Sequence, residues 1–427
     1  MSNIKKSVFP IKTATACQLK WTWTTLYLSE GTTSSCHRTG RHPISLENFQ
    51  NFHNTPEKLD QRKIMLKGEW PQPLPYMNPE EGCRYCQKIE EAGGQSDRQF
   101  HFQIPGLVPP ELEETPDAIQ VTPRILEVLL SNTCNLACTY CAPKNSSQIE
   151  AENIKFGRFE KNTLIIEPKY YDKDRNKLYI EQFFIWLEHN SSVLRRLHLL
   201  GGEPLYQKEF YRCLDFFKNN PNPELELNVV SNLMIDTEKF RDVVQGWKEM
   251  TKKRQIKRFD VTVSLDCWGP EQEYARYGLK IPQIEKNMQI LLENPWIYLN
   301  VNSTLSPLTL RSFPTIIEKL KEWKQKRKIN HHFQTVFSPA YHNPDIFGGE
   351  FWKQDLENSV NAMPTNNWQE ETMRLSLIGI QGQILNSCIK PEKIIQLHTH
   401  LDELDRRRGT NWRKLFPHLE DYQKYVV

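Results

Sequence analysis

From about residue 124 the chain alternates between short runs of β-type residues and longer stretches with helical spacing of apolar positions. The β-type runs are ILEVLLSN (125–132), RRLHLLGG (195–202), LELNVVSN (225–232), FDVTVSLD (259–266), WIYLNVNS (296–303) and HHFQTVFS (331–338). Between them, apolar residues recur every three to four positions near 176–189, 205–219, 236–249, 281–293 and 309–326, which predicts helices there. Pro314 is expected in the first turn of the last helix, where a missing N–H removes no hydrogen bond. Six strands alternating with helices predict an α/β fold with a parallel sheet and right-handed crossovers. The order alone fits an open sheet, a full barrel or a partial barrel. In each of these, functional groups gather at the C-terminal ends of the strands.

The flanking segments lack this rhythm. Residues 1–87 are turn-rich and aromatic (Trp21, Trp23, Tyr27, Trp70, Tyr76, Tyr85), and an irregular module over 1–102 is expected, held by something besides a large core. Residues 103–123 carry five prolines and four acidic residues and predict a linker. The α/β core is then 124–340, and 341–427 a helical C-terminal extension. Residues 142–175, charged and carrying Tyr170 and Tyr171, suit either a cover over the strand ends or a surface insertion.

Composition narrows the class. In 427 residues, 55 Lys+Arg against 52 Asp+Glu leave a net charge of +3, which argues against a dedicated polyanion binder. The basic runs at 251–258 and 321–328 read as solvated faces and leave a minor case for RNA. No stretch approaches the ~20 apolar residues of a membrane span. The first twenty residues lack the apolar run of a signal peptide. The expectation is a soluble, cytoplasmic protein that binds no membrane.

Ten cysteines are too few for a disulfide scaffold, and seven of them fall into two groups. Cys134, Cys138 and Cys141 form a CxxxCxxC directly after the first core strand, on a loop at the functional end of the sheet. Three close thiolates on one loop suit a [4Fe–4S] cubane and leave one iron open to chemistry. Zinc is the competing reading, although a structural zinc site takes four ligands. Cys17, Cys36, Cys83 and Cys86 supply a complete set for either a cluster or zinc. Cys213 and Cys388 read as packing residues, and the pairs His331–His332 and His398–His400 lack the spacing of metal ligands.

CNLACTYC resembles the signature of the radical S-adenosylmethionine enzymes, including the aromatic Tyr140 before the third cysteine. LLGGEP (199–204) is similar to that family's second-strand motif, and VVSN and VSLD are similar to its third and fourth strand ends. The resemblance implies a partial (β/α)6 TIM-like barrel binding S-adenosylmethionine at a [4Fe–4S] cluster on Cys134, Cys138 and Cys141. Gly201, Gly202 and Glu203 would meet the methionine amino group. Ser231, Asn232, Ser264 and Asp266 would face the ribose and the methionyl carboxylate, and Arg276 would pair with that carboxylate. Each has a plainer reading: GGEP as a turn, Ser231 and Ser264 as strand-end caps, and Arg276 as a surface helix residue.

The four N-terminal cysteines, with Trp21, Trp23, Trp70 and CRYC, resemble the auxiliary-cluster modules called twitch and SPASM, here placed before the core. A second [4Fe–4S] cluster is implied, with a purely structural staple as the alternative and His37 as a possible substitute for one thiolate. LDELDRRRGTNWRKLFP is also similar to the end of twitch-containing enzymes, and its triple arginine reads as a solvated or salt-bridged helix face. Asp266 as proton acceptor and Cys267 as hydrogen-atom donor complete the candidate catalytic residues. The implied activity is reductive cleavage of S-adenosylmethionine to a 5′-deoxyadenosyl radical that takes hydrogen from a substrate. A flavodoxin- or ferredoxin-type donor would supply the electron. The expected substrate is a peptide or protein side chain, with a sugar, a nucleoside or RNA as alternatives and a non-catalytic iron–sulfur or zinc scaffold as a remote one.

Overall fold

A computed structural model describes residues 9–36, 39–72, 82–91, 93, 96, 98, 99, 106–157 and 172–425. Among these residues lie eleven strands: β1 (Trp23–Tyr27), β2 (Thr32–Ser34), β3 (His42–Pro43), β4 (Ile125–Leu129), β5 (Ala137–Cys138), β6 (Arg196–Leu200), β7 (Asn222–Ser231), β8 (Ile256–Ser264), β9 (Arg276–Tyr277), β10 (Tyr298–Leu305) and β11 (Asn330–Thr335). The six predicted core strands are β4, β6, β7, β8, β10 and β11. They lie side by side in chain order, each parallel to the next.

The helices Lys173–Asn190, Lys208–Asn219, Thr237–Lys252, Ile281–Leu292 and Phe313–Lys324 fill the connections, as the periodicity predicts. Local chemistry starts them. Asp172 accepts from the N–H groups of Asp174 and Arg175, Asp236 accepts from that of Lys239, and Pro314 sits in its helix's first turn. Burial then fixes their faces: Phe240, Val244, Trp247 and Met250 turn inward, and Trp247 stacks on Phe259 of β8 with ring centroids 4.8 Å apart. The result is a mixed α/β fold whose large sheet is mostly parallel, with β11 and β3 at its two edges.

The N-terminal segment is more regular than its sequence suggests. β1 adds parallel to β4, pairing Trp23 with Ile125 through Tyr27 with Leu129, and β2 and β3 extend the sheet antiparallel. Leu26, Leu28, Ile44, Phe49 and Phe52 belong to the main core. A second, smaller core gathers Phe9, Trp21 and Met65 with Val108, Leu112 and Val121. These last three lie in the segment read as a linker. Its described part, 106–123, is therefore packed, with a short helix at Pro110–Glu114.

The C-terminal extension is helical, with Gly349–Ala362, Trp368–Leu385 and Pro391–Arg408 as its main elements. The triple arginine is only partly a solvated face. Arg406 pairs with Glu403 at the surface, whereas buried Arg407 and Arg408 reach Asn153, the Gly157 carbonyl and Glu152. They clamp the helix Ser147–Phe156 that follows the cysteine loop. Tyr170 and Tyr171 lie outside the described residues. No helix among the described residues is long and apolar enough to cross a membrane.

Candidate active site at the strand ends

The loop after β4 carries Cys134, Cys138 and Cys141, all half-buried and none in a disulfide. Its shape is set from several sides. The Cys134 N–H donates to Ser147 Oγ (3.1 Å), the Asn135 side chain donates to the Met234 carbonyl (2.8 Å), and the Thr139 N–H donates to the Ala275 carbonyl (2.8 Å). β5 and β9 form a small antiparallel ladder that pairs Cys138 with Arg276. His400 of the C-terminal helix meets the Thr139 carbonyl at 2.9 Å.

Gly201 and Gly202 pass directly beneath this loop. A Cβ on Gly202 would lie 2.1 Å from the Thr133 carbonyl oxygen, and one on Gly201 would lie 2.9 Å from that of Ser131. Both adopt positive φ, +88° and +41°. Glycine is therefore required by close backbone approach as well as by conformation. The Glu203 N–H donates to the Thr133 carbonyl (2.8 Å), and Gln207 donates to the carbonyls of Ser131, Thr133 and Gly201. The motif thus supports the cysteine loop from below.

The Glu203 carboxylate is fully enclosed. It accepts from Ser231 Oγ (2.8 Å), the Asn232 N–H (2.6 Å) and the Leu205 N–H (3.2 Å), leaving one of its lone-pair directions open among the described residues. Burial pushes its pKa up to about 7, and the Asn232 and Ser231 bonds hold it from rising further. Ser231 and Asn232, expected at the ribose, are taken up by Glu203. The Ser231 hydroxyl also accepts from the Leu233 N–H, and the Asn232 side chain donates to Asn135 at 2.9 Å. Ser264 ends β8, half-buried beside Asn302.

Asp266, the expected proton acceptor, is engaged on every side. Its oxygens accept from Tyr140 Oη (2.6 Å), from Arg276 Nε and Nη2 (2.9 Å each) and from the Thr304 N–H (2.8 Å). Four donors fill the carboxylate's four lone-pair sites, so the geometry offers no site for a substrate proton. Asp266 instead orients Tyr140 and Arg276. Arg276 is a buried partner of Asp266, not a surface helix residue, and only part of its guanidinium fork remains for a ligand carboxylate. Cys267 is also enclosed. It is fully buried, its sulfur lies 3.8 Å from Gln272 Oε1, and burial raises its pKa well above the ordinary thiol value. The expected hydrogen-atom donor therefore lies at an enclosed position among the described residues.

Sequence reasoning missed Tyr341 and His342, just beyond β11. His342 is fully buried, 6.3 Å in ring centroids from Tyr140, and among the described residues neither of its nitrogens has a hydrogen-bond partner. Burial holds its pKa well below the usual value, so its imidazole is neutral. No periodic or spacing signal marks it, because its neighbours come from distant segments.

The second cysteine group also comes together. Cys17, Cys36, Cys83 and Cys86 line one small cavity with Lys20, Met65, Trp70 and Arg98. Helix Cys83–Glu91 puts two of the cysteines one turn apart, and Cys17 precedes the short helix Gln18–Thr22. His37 lies outside the described residues.

The donor chemistry of the core loop fits thiolate-bound iron, and the four thiols of the second group suit a cluster or zinc alike. The Leu136 N–H points at Cys134 Sγ (3.4 Å), and burial raises the pKa of all three loop thiols, Cys134 to about 12. As free groups they stay protonated, so a metal must displace their protons to bind. Among the described residues no three His, Cys, Asp or Glu side chains converge as single-ion ligands. A cubane takes one thiolate per iron and does not need such convergence.

No protein-family model matches the chain, and no curated protein matches it. A solved structure of a histidine-tagged protein, described as anSMEcpe with bound AdoMet, is similar in part. It is 17% identical with a TM-score of 0.33, over 56% of this chain and 57% of that one. The chain thus spans a little over half of that structure, and a likeness this loose carries no argument about the site.

Proposed function

We propose that the chain is a radical S-adenosylmethionine enzyme whose core is a partial barrel. One observation carries the reading. Three thiols of a single loop stand at the C-terminal end of a parallel sheet, on a glycine pair that admits no other residue, beside a buried carboxyl and a buried Arg–Asp–Tyr group. Cys134, Cys138 and Cys141 would hold a [4Fe–4S] cluster. With one electron from a donor, that cluster would supply the reductive cleavage of bound S-adenosylmethionine that generates a hydrogen-abstracting radical.

The protein's part is to bind, orient and exclude water. Gly201 and Gly202 allow backbone to approach the cysteine loop, and the enclosed Glu203 carboxyl ties Ser231, Asn232 and Leu205 together beside it. Arg276, held by Asp266, turns its remaining N–H donors toward a carboxylate. The C-terminal helix Pro391–Arg408 covers the loop through His400. Cys17, Cys36, Cys83 and Cys86 would hold a second cluster. A flavodoxin- or ferredoxin-type protein would be the donor, and a peptide or protein side chain the substrate, as the resemblance implies.

After anaerobic reconstitution, about eight irons per chain are expected, four for each cubane. With dithionite and S-adenosylmethionine the chain should form 5′-deoxyadenosine. Cys138→Ala should bring this to the level of the no-protein control while about four irons remain. Undiminished 5′-deoxyadenosine in that variant would sink the assignment of the core cluster.

A further inference from the structure

The cavity lined by Cys17, Cys36, Cys83 and Cys86 has an unusual wall. Lys20, one turn after Cys17 and bonded through its N–H to the Cys17 carbonyl (3.0 Å), is only 1% exposed. Its ammonium donates to Gln61 Oε1, and the residue lines the same cavity as the four cysteines. Buried Arg62 donates to the Lys20 carbonyl (2.7 Å), and Arg98 lines the same cavity. The hydrogen bonds of Lys20 and Arg62 go to neutral acceptors. Burying cations against neutral groups is strongly unfavourable. Four protonated thiols would add nothing to balance them. Four thiolates around an iron–sulfur core would, because together they outweigh the core's positive charge.

We infer that Lys20 is the counter-charge of the N-terminal centre and raises its reduction potential. The inference rests on the cluster reading of these four cysteines. Uptake of one electron adds a negative charge to the centre without making or breaking a bond. A fixed buried cation stabilises the reduced form more than the oxidised one, so it shifts the potential upward. A centre tuned this way is suited to accept electrons. Arg98 is paired with Glu90 and bonded to the carbonyls of Ala14 and Ala16, whereas the Lys20 ammonium in the same wall donates to the neutral amide oxygen of Gln61.

The test uses the full chain with Cys134, Cys138 and Cys141 all changed to Ala, so that only the N-terminal centre is read. Iron and sulfide are counted after anaerobic reconstitution, and the potential is followed by electron paramagnetic resonance during a dithionite titration. Lys20→Met and Lys20→Gln should keep about four irons per chain. Their midpoints should move to more negative potential, while Lys20→Arg stays near the unsubstituted lysine. Loss of the cluster from both neutral variants with retention in Lys20→Arg would also support a required positive charge. An unshifted midpoint in either neutral variant would overturn the inference, as would uptake of zinc with no iron. None of these readings depends on whether the core cleaves S-adenosylmethionine.

Discussion

Glu203 is a carboxyl that the fold keeps close to neutrality, and this makes stability depend on pH. It binds its proton more tightly folded, at about 7, than unfolded, at 4.5. Its contribution is therefore fully present below 4.5 and is lost as pH climbs through about 7, a change of up to about 3 kcal/mol. In the metal-free chain, Glu203→Gln should gain thermal stability relative to the parent between about pH 5 and about pH 8. A constant difference between the two melting curves across that range would exclude the effect. Gly202→Ala should cost about 2–4 kcal/mol, because it combines positive φ with a Cβ driven into the Thr133 carbonyl. Iron uptake by the core loop should fall with it, as a metal count of the variant would show. The cysteines and the GGE run were legible because their spacing is local. The role of Asp266 was not, because its donors Tyr140, Arg276 and Thr304 come from three other segments and only the folded sheet brings them together.

At the scale of elements, the core strands and helices followed directly from period and caps, whereas the N-terminal ones were hidden. β2 and β3 are too short to show an alternation. The helix Pro56–Leu66 buries Lys58, Arg62 and Met65 on one face, so its inner side reads as polar. Lys58 is held there by Thr24, Thr33 and the Phe52 carbonyl. The clamp between the helices Pro391–Arg408 and Ser147–Phe156 was equally hidden, because charged residues were assigned to solvent. Arg408→Ala removes a part-buried bidentate pair and leaves Glu152 without that partner, at a cost of about 1–2 kcal/mol. Hydrogen exchange should then speed up in residues 147–156. Unchanged protection there would show that the arginines do not hold that helix.

Across the whole molecule, the N-terminal segment and the core share one sheet. β1 covers the edge of β4, and the segment around Val108 to Val121 is packed against the smaller core. A chain beginning at residue 106 would expose β4 as a bare hydrophobic edge and should aggregate on expression, while the full chain stays in solution. Monodisperse behaviour of the shortened chain in light scattering would contradict this. The pairing of β1 with β4 also bears on how the protein is made. Residues 23–27 leave the ribosome about a hundred positions before their partners at 125–129. Residues 23–27 must therefore wait until the core supplies the strand they dock on. A parallel pairing over so long a separation forms slowly, because the loop must close before any contact rewards it. Docking of the strand between Cys17 and Cys36 onto the core is thus a late folding step, and the cavity those cysteines line is completed only after it.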